Sequence, residues 1–216
     1  MLAAGVDEEP LGARLERFAA AYRAMSRFLL APADRDLQEA LAEPGQLESW
    51  PIPRDPDTAR GIKLLVASLT AEETVEALRH DYECLLTGPG SMLPPPFESV
   101  YCSLDRLLFD GPTFEVRAEY RRLGLQAPNF NREPDDHIGL EFSFLALVCE
   151  RALDGIESEN LVAIDEALEI QRRFLATHLL AWAGECLALL EANAKTLFYK
   201  GVGALGLGVL VQAAAW

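Results

Sequence analysis

Apolar residues recur along the chain at three- and four-residue steps, the spacing that turns one face of an α-helix toward a core. Leu11, Leu15, Phe18, Tyr22, Met25 and Leu29 form the first such block, which predicts a helix over 11–30 that Pro32 stops. A short helix over 34–41 follows, with Asp34 placed to cap it. Pro44, Gly45, Pro51, Pro53 and Pro56 forbid a long element between Glu43 and Asp57, and Trp50 in that loop is expected to dock on an apolar surface. Asp57 opens the next predicted helix, with Ile62, Leu65, Val66 and Leu69 on one face. Thr70 with Glu73 three residues on reads as a capping box for a helix running through Val75, Leu78, Tyr82 and Leu85 to about Leu86.

Gly88, Pro89 and Gly90 end that helix, and Pro94 to Pro96 hold an extended, polyproline-like segment. Helix is predicted to resume near Phe97 and reach about Phe109. Another begins around Pro112 and ends at Gly124, a good left-handed cap. A loop over 126–133 precedes a helix capped by Asp135 or Asp136, which runs through Leu140, Phe144, Leu147, Val148 and Arg151 to near Gly155. The period continues over 160–182, on through Leu187 and Leu190, and again over 194–212. No strand-like alternation appears. The predicted fold is all-α, one helical domain over 1–216 with about eight to ten helices and a candidate hinge at 124–134.

Charge narrows the partners. A net charge of -15 and a pI near 4.6 argue against nucleic acid, which needs a basic patch. An acidic surface instead raises the encounter rate with a basic partner. Cys84, Cys102, Cys149 and Cys186 form no CxxC pair, and three lie in apolar helical patterns, so they read as reduced core thiols. The opening MLAAGVDEEP has no basic region followed by an apolar one, so a secretion signal is not expected. The uncharged end, residues 201–216, is short for a membrane span and is loosened by four glycines, so it reads as a buried helix without stable membrane insertion.

Chemistry concentrates in two proline-led phrases, PPPFESVY (Pro94–Tyr101) and EPDDHIGLEF (Glu133–Phe142). Asp136 beside His137 has the look of a carboxylate orienting an imidazole, which keeps a small hydrolase as a remote alternative. Adjacent helical residues do not face each other, however, and no nucleophile, phosphate-loop or paired-histidine metal motif is present. Neither an enzyme nor a metal or other cofactor is expected. The second phrase also suits a plain helix start. A cation there would oppose the helix dipole, so His137 is expected to be neutral and bonded within the loop, free to face a groove. The first phrase suits either a stiff linker or the preorganised wall of a peptide groove. Both readings stand on the residues.

The series DYECLLTGPG, PPPFESVY, EPDDHIGLEFSFLALV, FLATHLLAW and FYKGVGALG, in that order, closely resembles the TorD/DmsD family of cytoplasmic maturation chaperones for redox enzymes. The likeness spans roughly residues 11–210. It implies an all-helical binding protein for the twin-arginine signal peptide, and parts of the body, of a molybdopterin oxidoreductase subunit, held in the cytoplasm until its cofactor is inserted. A nitrate-reductase-type assembly chaperone is the nearest alternative within the family. Carried over by position, the peptide-binding candidates are Pro95, Pro96, Phe97, Ser99, Tyr101, Glu133, Pro134, Asp136 and His137, with Tyr82 and Leu86 matched more loosely. The resemblance implies Asp136 and Glu133 as partners for arginine guanidinium groups, and Phe97, Tyr101 and Leu86 as seats for an apolar run. It also places the phenylalanine Phe97 where several relatives have tryptophan. A monomer or a domain-swapped dimer is expected. Asp136→Ala and His137→Ala are expected to weaken binding while costing only about 1 kcal/mol of stability, the value of a cap.

Overall fold

The computed structural model describes residues 9–88 and 92–216; the leading residues and the stop signals Pro89 and Gly90 lie outside them. The helices are α1 (Leu11–Leu30), α2 (Arg35–Ala42), α3 (Pro56–Thr70), α4 (Val75–Tyr82), α5 (Glu98–Cys102), α6 (Gly111–Arg122), α7 (Ile138–Glu157), α8 (Leu161–Phe174), α9 (Leu180–Asn193) and α10 (Leu197–Ala214). A π-turn, Glu83–Thr87, prolongs α4, and a second, Leu175–Leu179, joins α8 to α9 without a break. Among the described residues the only extended pairing is an isolated antiparallel bridge between Phe97 and His137. The fold is all-α.

Two packed groups of helices share one core. In the first, α1 lies along α7, which also packs on α8. In the second, α10 lies between α3 and α9. Tyr22, Phe142, Phe174, Tyr199 and Leu145 are all fully buried in that core. The apolar α10 is a core helix, and its glycines bring backbones together rather than loosening it. A Cβ at Gly203 would sit 2.8 Å from the Leu187 carbonyl oxygen, and one at Gly61 of α3 would sit 2.6 Å from the Leu205 amide. The unbroken run 161–193 and α10 are each long and apolar enough to cross a membrane by composition, but half of the first apolar stretch and 67% of the second are buried inside the protein.

Several helix starts differ from the sequence reading, and each has a local cause. Asp55, not Asp57, caps α3, accepting from the Asp57 and Thr58 amides, with Pro56 in the first turn. Thr70 ends α3 by bonding back to the Val66 carbonyl, and Thr74 caps α4. Glu73 therefore makes no capping box. Its carboxylate accepts from the Leu197 and Phe198 amides at 2.8 and 3.1 Å, while Asp81 accepts from the Thr196 amide and hydroxyl at 2.8 and 2.7 Å. Two acids from α4 and the turn before it thus satisfy the orphan amides at the start of α10. Cys149 and Cys186 are buried as expected, but Cys84 and Cys102 are exposed; all four are free.

The predicted helix from Phe97 to Phe109 is cut short at Cys102. The connection from there to α6 is irregular and leaves Leu104, Leu107, Leu108 and Phe109 exposed. Their helical spacing reflects no buried face. Trp50 packs partly buried against the core, as expected of a docked loop residue.

Candidate functional site

The two phrases meet through their backbones. The Glu98 amide donates to the Asp136 carbonyl at 3.0 Å and the Ile138 amide to the Pro96 carbonyl at 2.8 Å, on either side of the Phe97–His137 bridge. The Pro94–Pro96 run, entered through a cis Leu93–Pro94 bond, and the loop before α7 are thereby stitched into one joint. Because side chains alternate along an extended segment, the joint has two faces.

The front face looks into a groove of about 600 Å³. Phe97 and His137 stand edge to face there, ring centroids 5.2 Å apart. Tyr82 and Leu86 lie in the floor, with the Tyr82 hydroxyl donating to the Leu29 carbonyl at 3.2 Å. Glu133 and Pro134 form the rim beside them. Leu30 at the end of α1, Leu140 of α7, and Leu108 and Phe109 of the exposed connection complete the apolar wall. Leu30, Ala127, Pro128 and Leu140 also border an adjoining recess of about 230 Å³, so the apolar surface continues past the 126–128 strap.

His137 is the cap of α7, correcting the expectation that Asp135 or Asp136 fills that place. Its Nδ1 accepts from the Gly139 amide at 3.0 Å. Burial pushes its pKa down to about 4, and an Nδ1 that accepts a backbone N–H carries no proton. The ring is therefore neutral with the proton on Nε2, as the sequence argument required. Among the described residues Glu133 is the one carboxylate on the groove lining; it accepts from the Asn129 side chain at 2.8 Å and has Arg132 beside it.

The back face is closed. Asp136 is fully buried; its carboxylate accepts from the Ser99 amide and the Thr113 hydroxyl, both at 2.7 Å. The expected guanidinium partner role is therefore not open to Asp136, whose two oxygens fasten the joint to α5 and α6. Its oxygens are taken by Ser99 and Thr113 and are not bonded to the His137 ring, so the two do not form the orienting pair a hydrolase would need. Asp135 pairs with Arg117 at 2.6 Å. Ser99 is buried beside Asp136. Tyr101 packs against Trp182 with ring centroids 5.2 Å apart, and the Pro95 and Pro96 carbonyls receive the Cys186 thiol and the Ile138 amide. Of the sequence candidates, Tyr82, Leu86, Phe97, Glu133, Pro134 and His137 line the groove. Pro95, Pro96, Ser99, Tyr101 and Asp136 build the support behind it.

Leu108, Phe109, Leu30 and Leu140 were missed as groove residues. The first two carried a signal, an apolar pair in a stretch without a buried partner, which a helical reading concealed. A separate hollow of about 430 Å³ between α7 and α8, lined by Leu123, Arg151, Asp154, Ala163 and Ile170, holds no residue of either phrase. Among the described residues no three histidine, cysteine or acidic side chains cluster to hold a metal.

The groove is a concave surface with an apolar wall and with Glu133 and Arg132 at its edge, a shape suited to taking a ligand. The comparisons with known proteins give the chain a family. A family model described as nitrate reductase delta subunit matches residues 53–188, and the chain belongs to this family. It is similar to the Probable Tat proofreading chaperone DmsD of Haemophilus influenzae, 24% identical over 86% of this chain and 83% of that protein. It is 29% identical to the Tat proofreading chaperone DmsD of Salmonella paratyphi A over 68% of this chain and 65% of that protein. Similarity to the chaperone protein TorD of Vibrio cholerae, 31% identical, covers 40% of this chain and 38% of that one.

Proposed function

We propose that this protein is a system-specific chaperone in the cytoplasm that binds the twin-arginine signal peptide of a molybdopterin-dependent oxidoreductase subunit and holds the subunit for cofactor insertion. Relatives named as Tat proofreading and TorD chaperones support the class; a nitrate-reductase assembly role, which the description of the family model suggests, is not better supported. The single observation that supports the leader as ligand is the groove on the front of the joint. Its apolar wall of Leu30, Leu86, Phe97 and Leu140 suits a leader's apolar run, and the exposed Leu108 and Phe109 extend that wall toward solvent. Glu133 at the rim suits a neighbouring guanidinium. The overall charge of -15 steers a basic segment toward it.

Calorimetric titration with synthetic leaders of the molybdopterin oxidoreductases encoded in the same genome tests this. Micromolar or tighter binding is expected for at least one leader. Leu108→Asp, at an exposed position, is expected to weaken it about tenfold or more while leaving stability within about 0.5 kcal/mol. No heat with any such leader at low salt overturns the signal-peptide mechanism.

A further inference from the structure

Behind the joint lies a cluster of acids that the groove does not use. Glu98 opens α5 directly after Phe97, and Glu141 sits in the first turn of α7; both are buried, at 3% and 0% exposure. Glu98 meets the Nδ1 of His178, from the π-turn, at 3.0 and 3.2 Å from its two oxygens. Glu141 Oε2 receives the Trp182 indole N–H at a long 3.4 Å, and its buried Oε1 receives no donor among the described residues. Neither acid has an arginine or lysine partner there; the nearby basic group is His178.

A carboxylate with one oxygen left dry and unpaired is strongly disfavoured, whereas a carboxylic acid at the same place donates its proton to a neighbouring acceptor. Glu98, buried on the α5 side of the joint and bonded to His178, is the side chain that raises Glu141 through a hydrogen bond, and it serves as that acceptor. We propose that Glu98 and Glu141 form an internal proton-binding site, one proton shared between them, which locks the Phe97–His137 joint and whose loss loosens it. Glu141 carries the proton on Oε1 toward Glu98, while His178 Nδ1–H supports Glu98 from the other side.

The surroundings fit. Burial first, then the charges of Glu98 and Asp136, hold the Glu141 carboxyl well above the usual range, with the Trp182 N–H acting weakly the other way. Burial also raises Glu98, which His178 opposes and which Asp136 and the α6 residue Glu115 reinforce. Burial first, and then the same acids, raise the Tyr120 phenol and push Cys102 up to about 11. Both acids belong to the two phrases themselves, so the proton ties one phrase to the other across the joint. The sign of the linkage follows. The folded state holds a proton that the unfolded chain releases near pH 4.5, so this contribution to stability is complete below that pH and declines as pH rises toward the folded value.

The site is tested on the whole protein without any leader, so its failure is distinct from a failure of peptide binding. Infrared spectra at neutral pH are expected to show a protonated-carboxyl band that disappears in Glu141→Gln. Exchange of the Glu98 and Ile138 amides, corrected for intrinsic base catalysis, is expected to rise about tenfold in the wild type as pH is raised far enough to abolish that band. Glu141→Gln, which keeps a donor in place of the acid, is expected to show no such rise. If Glu141→Gln does not fold, Glu141→Met, which removes the acid and keeps its length, carries the same test. Absence of the band in the wild type, or persistence of both the band and the pH-dependent exchange in the foldable variant, overturns the proposal.

Discussion

Asp136 and His137 are neighbours in sequence and do opposite work. His137 stands on the front of the joint, half-buried, with its ring against Phe97 and on the lining of the groove. Asp136 stands on the back, fully buried, holding a backbone amide and a hydroxyl from two other elements. The alternation of extended backbone separates them. A motif read as one binding surface is thus half surface and half fastening, and substitutions on its two faces should fail in different ways.

The largest expected effect is on the back. Asp136→Ala leaves the Ser99 amide and the Thr113 hydroxyl buried without an acceptor, at a cost of about 2–5 kcal/mol. That exceeds the cap-sized loss of about 1 kcal/mol expected from sequence, because Asp136 is not the cap. Urea unfolding midpoints measure it. A loss no larger than that of a cap would show that the back face fastens little, and the two-face distinction would fall.

A middle-sized effect belongs to the front. His137→Ala removes the acceptor of the Gly139 amide and should cost about 1 kcal/mol, whereas His137→Asn retains an acceptor and should cost a few tenths. Both should weaken leader binding alike, since both lose the imidazole edge on the groove. The histidine also sets a pH limb. Its folded pKa of about 4 lies below the usual value near 6.5, so its contribution is complete above about pH 6.5 and is lost as pH falls toward 4. Opposite in sign to the buried acids, this limb should vanish in His137→Asn when its midpoints at about pH 7 and about pH 5 are compared with those of the wild type. An unchanged limb in that variant would assign the acid sensitivity to another group.

What the sequence revealed depended on how far each partner lay along the chain. α1, α2 and α6 were legible because periodicity, Asp34 and Gly124 are local signals. Glu73 was misread because its partners, the Leu197 and Phe198 amides, lie 124 and 125 residues away. Asp136 looked like a cap because its true partner, the Ser99 amide, is 37 residues upstream and is reached only once the bridge forms. The resemblance drew its candidates from both phrases, which the bridge joins, but could not sort those residues by face. That sorting requires the pairing of Phe97 with His137.

The smallest effect tests the rim, where the comparison is sharpest. Glu133 is exposed, and Gln at this position still accepts from Asn129, so Glu133→Gln should leave stability unchanged. It removes the one carboxylate among the described residues of the groove lining. An exposed charge of this kind acts mainly on the rate of encounter, so association with a twin-arginine leader should slow by about twofold to fivefold at low salt, with little change in dissociation. High salt should erase the difference between variant and wild type, because screening removes the interaction in both. Stopped-flow association at two ionic strengths separates the outcomes. A salt-independent defect would mean that Glu133 acts through shape, and no defect at low salt would place the leader's arginines away from this rim, leaving the groove to its apolar run alone.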